Sequence, residues 1–240
     1  MKALLLFDID GTLVDTEGAG LLSLEEGLFG AFPEHRGSRP FPPLDLAGAT
    51  DGSVVAFLFE HFEIEDHSGS REAFFESYSA CLDHCMGQYR AMGKGQALLG
   101  VAELLTILSA RPQDFDLGLL TGNTEQGARI KLRHFALDTH FTFGAFGDDH
   151  HDRNQLGPIA LERAREQTGR SFSPDTVVII GDTVKDIACA RAFGARVLAV
   201  ASGSVSRKTL EAARPDAILD DLGNLTEVLE VIDGLLGTNP

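Results

Sequence analysis

Positive charge is scarce in this chain. Lys and Arg number 20 against 36 Asp and Glu, which leaves a net charge of −16. So acidic a protein repels nucleic acid and anionic lipid at long range, and neither is expected as a partner. Cysteine is scarce as well: there are three, Cys81, Cys85 and Cys189. An odd, low count argues against a disulfide framework and fits a reduced, cytosolic protein. Cys81, His84 and Cys85 stand at helical spacing, but no fourth Cys or His nearby completes a tetrahedral metal site. They read as small side chains on a helix. Long apolar runs are missing, since none reaches the ~18 residues of a membrane span. The opening run Ala3 to Phe7 is shorter than the roughly 7–15 apolar residues of a secretory signal and stops at Asp8 without a cleavage site. It reads as a buried strand and places the protein in the cytoplasm. Internal repeats and low-complexity segments are absent too.

What is present suits a globular protein: 240 residues, 43% hydrophobic and 23% charged, enough for one large domain or a core with a smaller insert. Ala3 to Phe7 leads into Asp-Ile-Asp-Gly-Thr, a strand followed by a turn. From about Thr16 to Gly95 no strand pattern is visible. Leu21, Leu22, Leu24, Leu28 and Phe29 have helical spacing, as do Val54, Val55, Leu58, Phe59 and Phe62, and again Phe74, Phe75, Tyr78, Cys81, Leu82 and Cys85. Pro33, Pro40, Pro42 and Pro43 interrupt the first two stretches. A helical insert of about four helices is expected over residues 16–95.

After Gly95 helices and strands alternate. Strands are expected at Phe115 to Leu120, near Phe141 to Phe143, at Val177 to Ile180 and at Arg196 to Val200. Helices are expected at Ala97 to Ser109, Glu125 to His134, Pro158 to Gln167 and Asp186 to Phe193, and a last strand–helix pair spans Ala217 to Leu236. That alternation implies an α/β fold, a Rossmann-like parallel sheet covered on both faces, formed by residues 1–15 and 96–240. Ligands in such sheets bind beyond the carboxyl ends of the strands.

Three of those ends carry polar groups. Asp8 and Asp10 lie two apart after the first strand, where their carboxylates can converge, and Gly11 lets the backbone turn and offer an amide to an anion. Thr121-Gly122-Asn123 places a hydroxyl and backbone amides before a helix, a favourable place for phosphate, although Thr121 could instead cap that helix. Asp182 and Asp186, four apart at a helix start, can join Asp8 and Asp10 around a hard cation with oxygen ligands. The run Asp148, Asp149, His150, His151, Asp152 reads as a solvated turn.

In order, these features resemble the haloacid dehalogenase-like hydrolase superfamily, specifically its phosphoglycolate-phosphatase-like branch. Asp8 to Thr12 matches its Asp-x-Asp-Gly-Thr motif, Thr121 its strand-ending Thr or Ser, and Gly181 to Asp186 its Gly-Asp-x-x-x-Asp. The insert resembles the family's helical cap. The resemblance implies a magnesium-dependent phosphatase acting on a small phosphorylated metabolite through an aspartyl-phosphate on Asp8. Asp10 is then the acid and base, and Mg2+ is held by Asp8, the Asp10 backbone carbonyl and Asp182, with Asp186 orienting the shell. Thr121, Gly11, Gly122 and a basic side chain bind the phosphoryl group. The family's usual third-motif Lys is absent. Arg153 stands at about that spacing and is the expected substitute, with Lys185 the alternative. Thr50 lies in the stretch Leu46 to Asp51 that resembles the family's substrate-facing cap loop, and Ala49 replaces the basic residue often found before it. Phosphomutase and dehalogenase activities, a non-catalytic binding role, and monomer or homodimer remain open at this level.

Overall fold

The computed structural model describes residues 2–237. β1 (Ala3–Phe7) is buried at all five positions, as a strand covered on both faces must be. Its side chains alternate. Ala3, Leu5 and Phe7 enter one apolar cluster and Leu4 and Leu6 another, so one strand serves two cores.

β2 (Val14–Asp15) follows, then α1 (Ala19–Ala31), α2 (Asp51–Phe62), α3 (Ser68–Ala91) and β3 (Gln96–Ala97). β2 and β3 pair antiparallel, so the chain leaves for the insert and returns along a two-stranded ribbon. Next come α4 (Val101–Ser109), β4 (Phe115–Leu120), α5 (Glu125–His134), β5 (Gly144–Ala145), α6 (Leu156–Thr168), β6 (Val177–Gly181), α7 (Val184–Phe193), β7 (Arg196–Val200), α8 (Arg207–Ala212), β8 (Ala217–Leu219) and α9 (Leu225–Leu235). The main sheet has the order β5-β4-β1-β6-β7-β8, with every neighbouring pair parallel. β1 lies between β4 and β6, so the three strand ends singled out from the sequence are neighbours.

The insert holds three α-helices, among the described residues, rather than about four. The proline-rich stretch after α1 forms only a short 3-10 turn at Pro33–His35, because proline removes amide donors. Its own core is aromatic: Phe29 and Phe62 meet edge to face at 5.5 Å, and Phe32 and Phe59 at 5.6 Å. Cys85 is buried and Cys81 half-buried on α3. α4 starts at Val101 and not at Ala97, since Gln96 and Ala97 pair with β2 and Gly100 turns the chain with φ 78°. The strand expected near Phe141 to Phe143 lies at Gly144–Ala145. Among the described residues no helix is long and apolar enough to cross a membrane.

Candidate active site

β1 ends at Phe7, and the backbone amide of Asp8 still donates to Ile180 O of β6 at 2.9 Å. That bond holds Asp8 at the carboxyl edge of the sheet, with its side chain buried. Gly11 then turns with φ 78°, and a Cβ there would collide with the Asp182 carboxylate, so only glycine lets the loop lie against that group. Ser202 Oγ secures the turn by donating to Gly11 O at 2.7 Å.

Asp8, Asp182 and Asp186 form a buried cluster whose nearest carboxylate oxygens all lie within 4.8 Å of one another. Arg153 reaches into it from the 3-10 turn before α6. Its Nη2 lies 3.0 Å from Asp8 Oδ1 and also donates to Asp186 Oδ1. Burial pulls the guanidinium down, and Asp186 and Asp8 more than offset that, so Arg153 stays charged. One cation does not balance three acids. Burial pushes Asp8 up to about 6 despite Arg153. Burial followed by the neighbouring Asp8 and Asp186 pushes Asp182 up to about 8. A hard divalent cation fits this all-oxygen set, and its charge would relieve the crowding. The three acids are not equivalent, however. Asp186 Oδ1 is engaged by Arg153, and Oδ2 accepts from Thr183 N and Oγ1 at 3.0 and 2.7 Å in the capping box of α7. Asp8 and Asp182 keep more free lone pairs, although Thr12 Oγ1 donates to Asp182 at 3.3 Å.

Asp10 stands apart from this cluster. Its carboxylate is gripped by Lys131 Nζ at 2.8 and 2.7 Å and by Asn123 Nδ2 at 2.8 Å. Lys131 also donates to Asn123 Oδ1 at 2.7 Å, which closes a triangle whose Lys131 and Asn123 corners are buried and whose Asp10 corner is half-buried. The sequence reading missed Lys131. It sits inside α5, 121 positions from Asp10, and its only signal was a charged residue flanked by the apolar Ile130 and Leu132. Thr121 Oγ1 accepts from Asn123 Nδ2 at 2.8 Å, while Thr124 is the residue that caps α5. The alternative role of Thr121 as a cap is thereby taken by its neighbour.

Thr121, Gly122, Asp8, Asp10, Gly11, Arg153 and Asp182 all line one cavity of about 510 Å³ between the sheet edge and the insert. Thr50 and Lys185 lie outside that lining. Thr50 caps α2, and its Oγ1 donates to His151 O at 2.9 Å. Lys185 is exposed, and its stem runs beside Gly48 of the insert. The acidic loop after β5 is more ordered than a solvated turn: Asp149 pairs with Arg163, and Asp148 accepts from Glu125 N at 3.1 Å.

A sheet edge bearing buried carboxylates under a helical insert defines a class, and the sequence comparisons identify it. The family model for haloacid dehalogenase-like hydrolases matches residues 2–194, and the chain belongs to that family. It is 26% identical over 242 residues to the probable phosphatase IndB of Dickeya dadantii, covering 98% of this chain and 96% of that one. It is 27% identical over 236 residues to the phosphoglycolate phosphatase of Agrobacterium fabrum, covering 95% and 93%. The fold is similar to that of a hydrolase from Pseudomonas syringae, with a TM-score of 0.68, 22% identity, and 96% and 99% of the two chains covered.

Proposed function

We propose that this hydrolase is a magnesium-dependent phosphatase of small phosphate monoesters, with Asp8 as nucleophile and Asp10 as general acid and base. The observation that carries the reading is the division of labour between two aspartates two residues apart. Asp8 is buried among carboxylates beside Arg153, and Asp10 is held separately by Lys131 and Asn123. Attack by an Asp8 oxygen on phosphorus breaks the P–O bond to the leaving group and gives an acyl-phosphate. Asp10 gives its proton to the departing oxygen, then takes one from the water that hydrolyses the acyl-phosphate. Arg153 with the backbone amides near Gly11 and Gly122 meets the charge spread over the transferring oxygens. Mg2+ held by Asp8, Asp182 and the Asp10 carbonyl would offset the repulsion between carboxylate and phosphate. The helical insert acts as a cap that excludes water and contacts the leaving group.

The test is turnover of p-nitrophenyl phosphate with magnesium and with a chelator, together with acid-quench trapping of labelled phosphate on the chain. Magnesium-dependent release and label on Asp8 are expected, and Asp8→Asn should lose both while melting as a folded protein. Turnover within tenfold of wild type in that variant would remove Asp8 from the mechanism.

A further inference from the structure

The cavity wall is lopsided in charge. It carries five aspartates, Asp8, Asp10, Asp15, Asp51 and Asp182, and among the described residues only two cations, Lys131 and Arg153. Both cations are already paired with carboxylates. An ammonium has three N–H donors, and those of Lys131 have three acceptors already, both Asp10 oxygens and Asn123 Oδ1. Arg153 is shared between Asp8 and Asp186, and its Nε–H is the single buried side-chain polar atom without a partner among the described residues. That Nε–H suits one oxygen of the transferring phosphoryl group.

The half of the cavity that faces the insert is largely apolar, although Thr16 and Asp51 also lie on it. Leu21, Leu24, Leu46, Val54 and Tyr78 line it. The two acids nearest that half are already engaged: Asp51 Oδ2 accepts from Thr124 N at 2.9 Å, and Asp15 Oδ1 accepts from Glu17 N at 2.8 Å. Each keeps its negative charge, since a backbone amide neutralises none of it.

We propose that the leaving group of the substrate carries no anionic group and is largely apolar, so that the phosphoryl group is the substrate's only anion. This rests on the phosphatase reading above. A carboxylate or second phosphate on the leaving group would find no free cationic side chain on the wall and would face Asp15 and Asp51, neither of which forms an ion pair with a described residue. At partly buried distances such repulsion corresponds to a discrimination of about 30-fold or more.

Phenyl phosphate and 4-carboxyphenyl phosphate form the deciding pair. The carboxylated phenol is the more acidic leaving group, so chemistry alone favours its ester, and a preference for phenyl phosphate reports the pocket. With the full chain and magnesium, kcat/KM for phenyl phosphate should exceed that for the carboxylated ester by about 30-fold. Leu21 is 44% exposed at the mouth, so Leu21→Lys leaves the fold intact. It should shrink the ratio at least ~5-fold by supplying the missing cation. A wild-type ratio near one, or one unchanged in Leu21→Lys, overturns the proposal. Calorimetry with phenylphosphonate and 4-carboxyphenylphosphonate separates this inference from the reading beneath it. Preferential binding of the uncharged-ring phosphonate without turnover of either ester would sink the phosphatase reading and keep the ligand class. Turnover of both esters at equal efficiency would do the reverse.

Discussion

Arg153 answers two carboxylates at once, Asp8 and Asp186, while buried away from water. Its removal would leave both acids uncompensated, a change that costs about 3–5 kcal/mol at buried pairs. Arg153→Ala should therefore lower turnover by more than ~100-fold and melting temperature as well. Arg153→Lys separates the two effects: the charge stays, the fork is lost, and part of the activity should remain in a fully folded protein. Lys185→Ala should be nearly silent, since Lys185 is exposed outside the cavity. A crippled Lys185→Ala beside a healthy Arg153→Ala would reverse this assignment. In the proposed mechanism Lys131 acts through Asp10, which it grips, so its test reads proton transfer. p-Nitrophenolate leaves without a proton, whereas an alkoxide does not. Lys131→Met should cost an alkyl phosphate about 10–100-fold more in kcat than it costs p-nitrophenyl phosphate. Equal losses on both substrates would make Lys131 a structural residue only. Asp8 and Asp10 could be picked out of the sequence because they follow an apolar strand, and Arg153 because the family resemblance leaves a basic residue wanting at about its spacing. Lys131 could not, because a helix interior gives a buried lysine no local mark and its partner is supplied by the fold.

At the scale of elements, most strands of the sheet were legible because burial on both faces makes them short, mainly apolar runs, whereas β5, only Gly144–Ala145, lies beyond its expected position. Phe115–Leu120 and Arg196–Val200 lie where those runs stand. α8 was not legible, since Leu210 is its only buried residue and one apolar side chain shows no period. Nor did spacing show how closely α1 and α3 approach. A Cβ on Gly27 would lie 2.7 Å from the Tyr78 backbone Cα, so the two helices touch through a glycine. Alanine is the better helix former by about 1 kcal/mol, yet overpacking against backbone costs roughly 1–3 kcal/mol. Packing should win. Gly27→Ala is expected to lower the melting temperature by about 2–8 °C, read by calorimetry. A rise instead would mean that α1 can slide outward at little cost. Because Tyr78 also lines the cavity, the same variant should raise KM.

Across the whole molecule, the sheet body and the helical insert meet at a seam built around Asp51. Its amide donates to Gly122 O at 2.7 Å, and its carboxylate accepts from Thr124 N at the start of α5. The first turn of an insert helix is thus bonded to the loop that carries Thr121 and Gly122. Burial pushes Asp51 up to about 6. Lys131 and the Thr124 amide oppose the rise, while Asp10 and Asp148 add to it. The sign follows from linkage. An unfolded chain releases this proton near the ordinary 3.8 and the folded chain near 6. Stability is therefore unpenalised below the lower value, falls as pH rises between the two, and stays reduced above the upper one. Asp51→Asn keeps an oxygen for Thr124 N and removes the titration. Relative to wild type, the variant should gain stability between pH ~4 and ~6, by about 1–2 kcal/mol once partial exposure is allowed for. Thermal melts of the two proteins across that range, in one buffer series without added metal, read the difference. A gap that stays constant with pH would show that Asp51 titrates as it does in water, and that the seam is open enough for solvent to reach it.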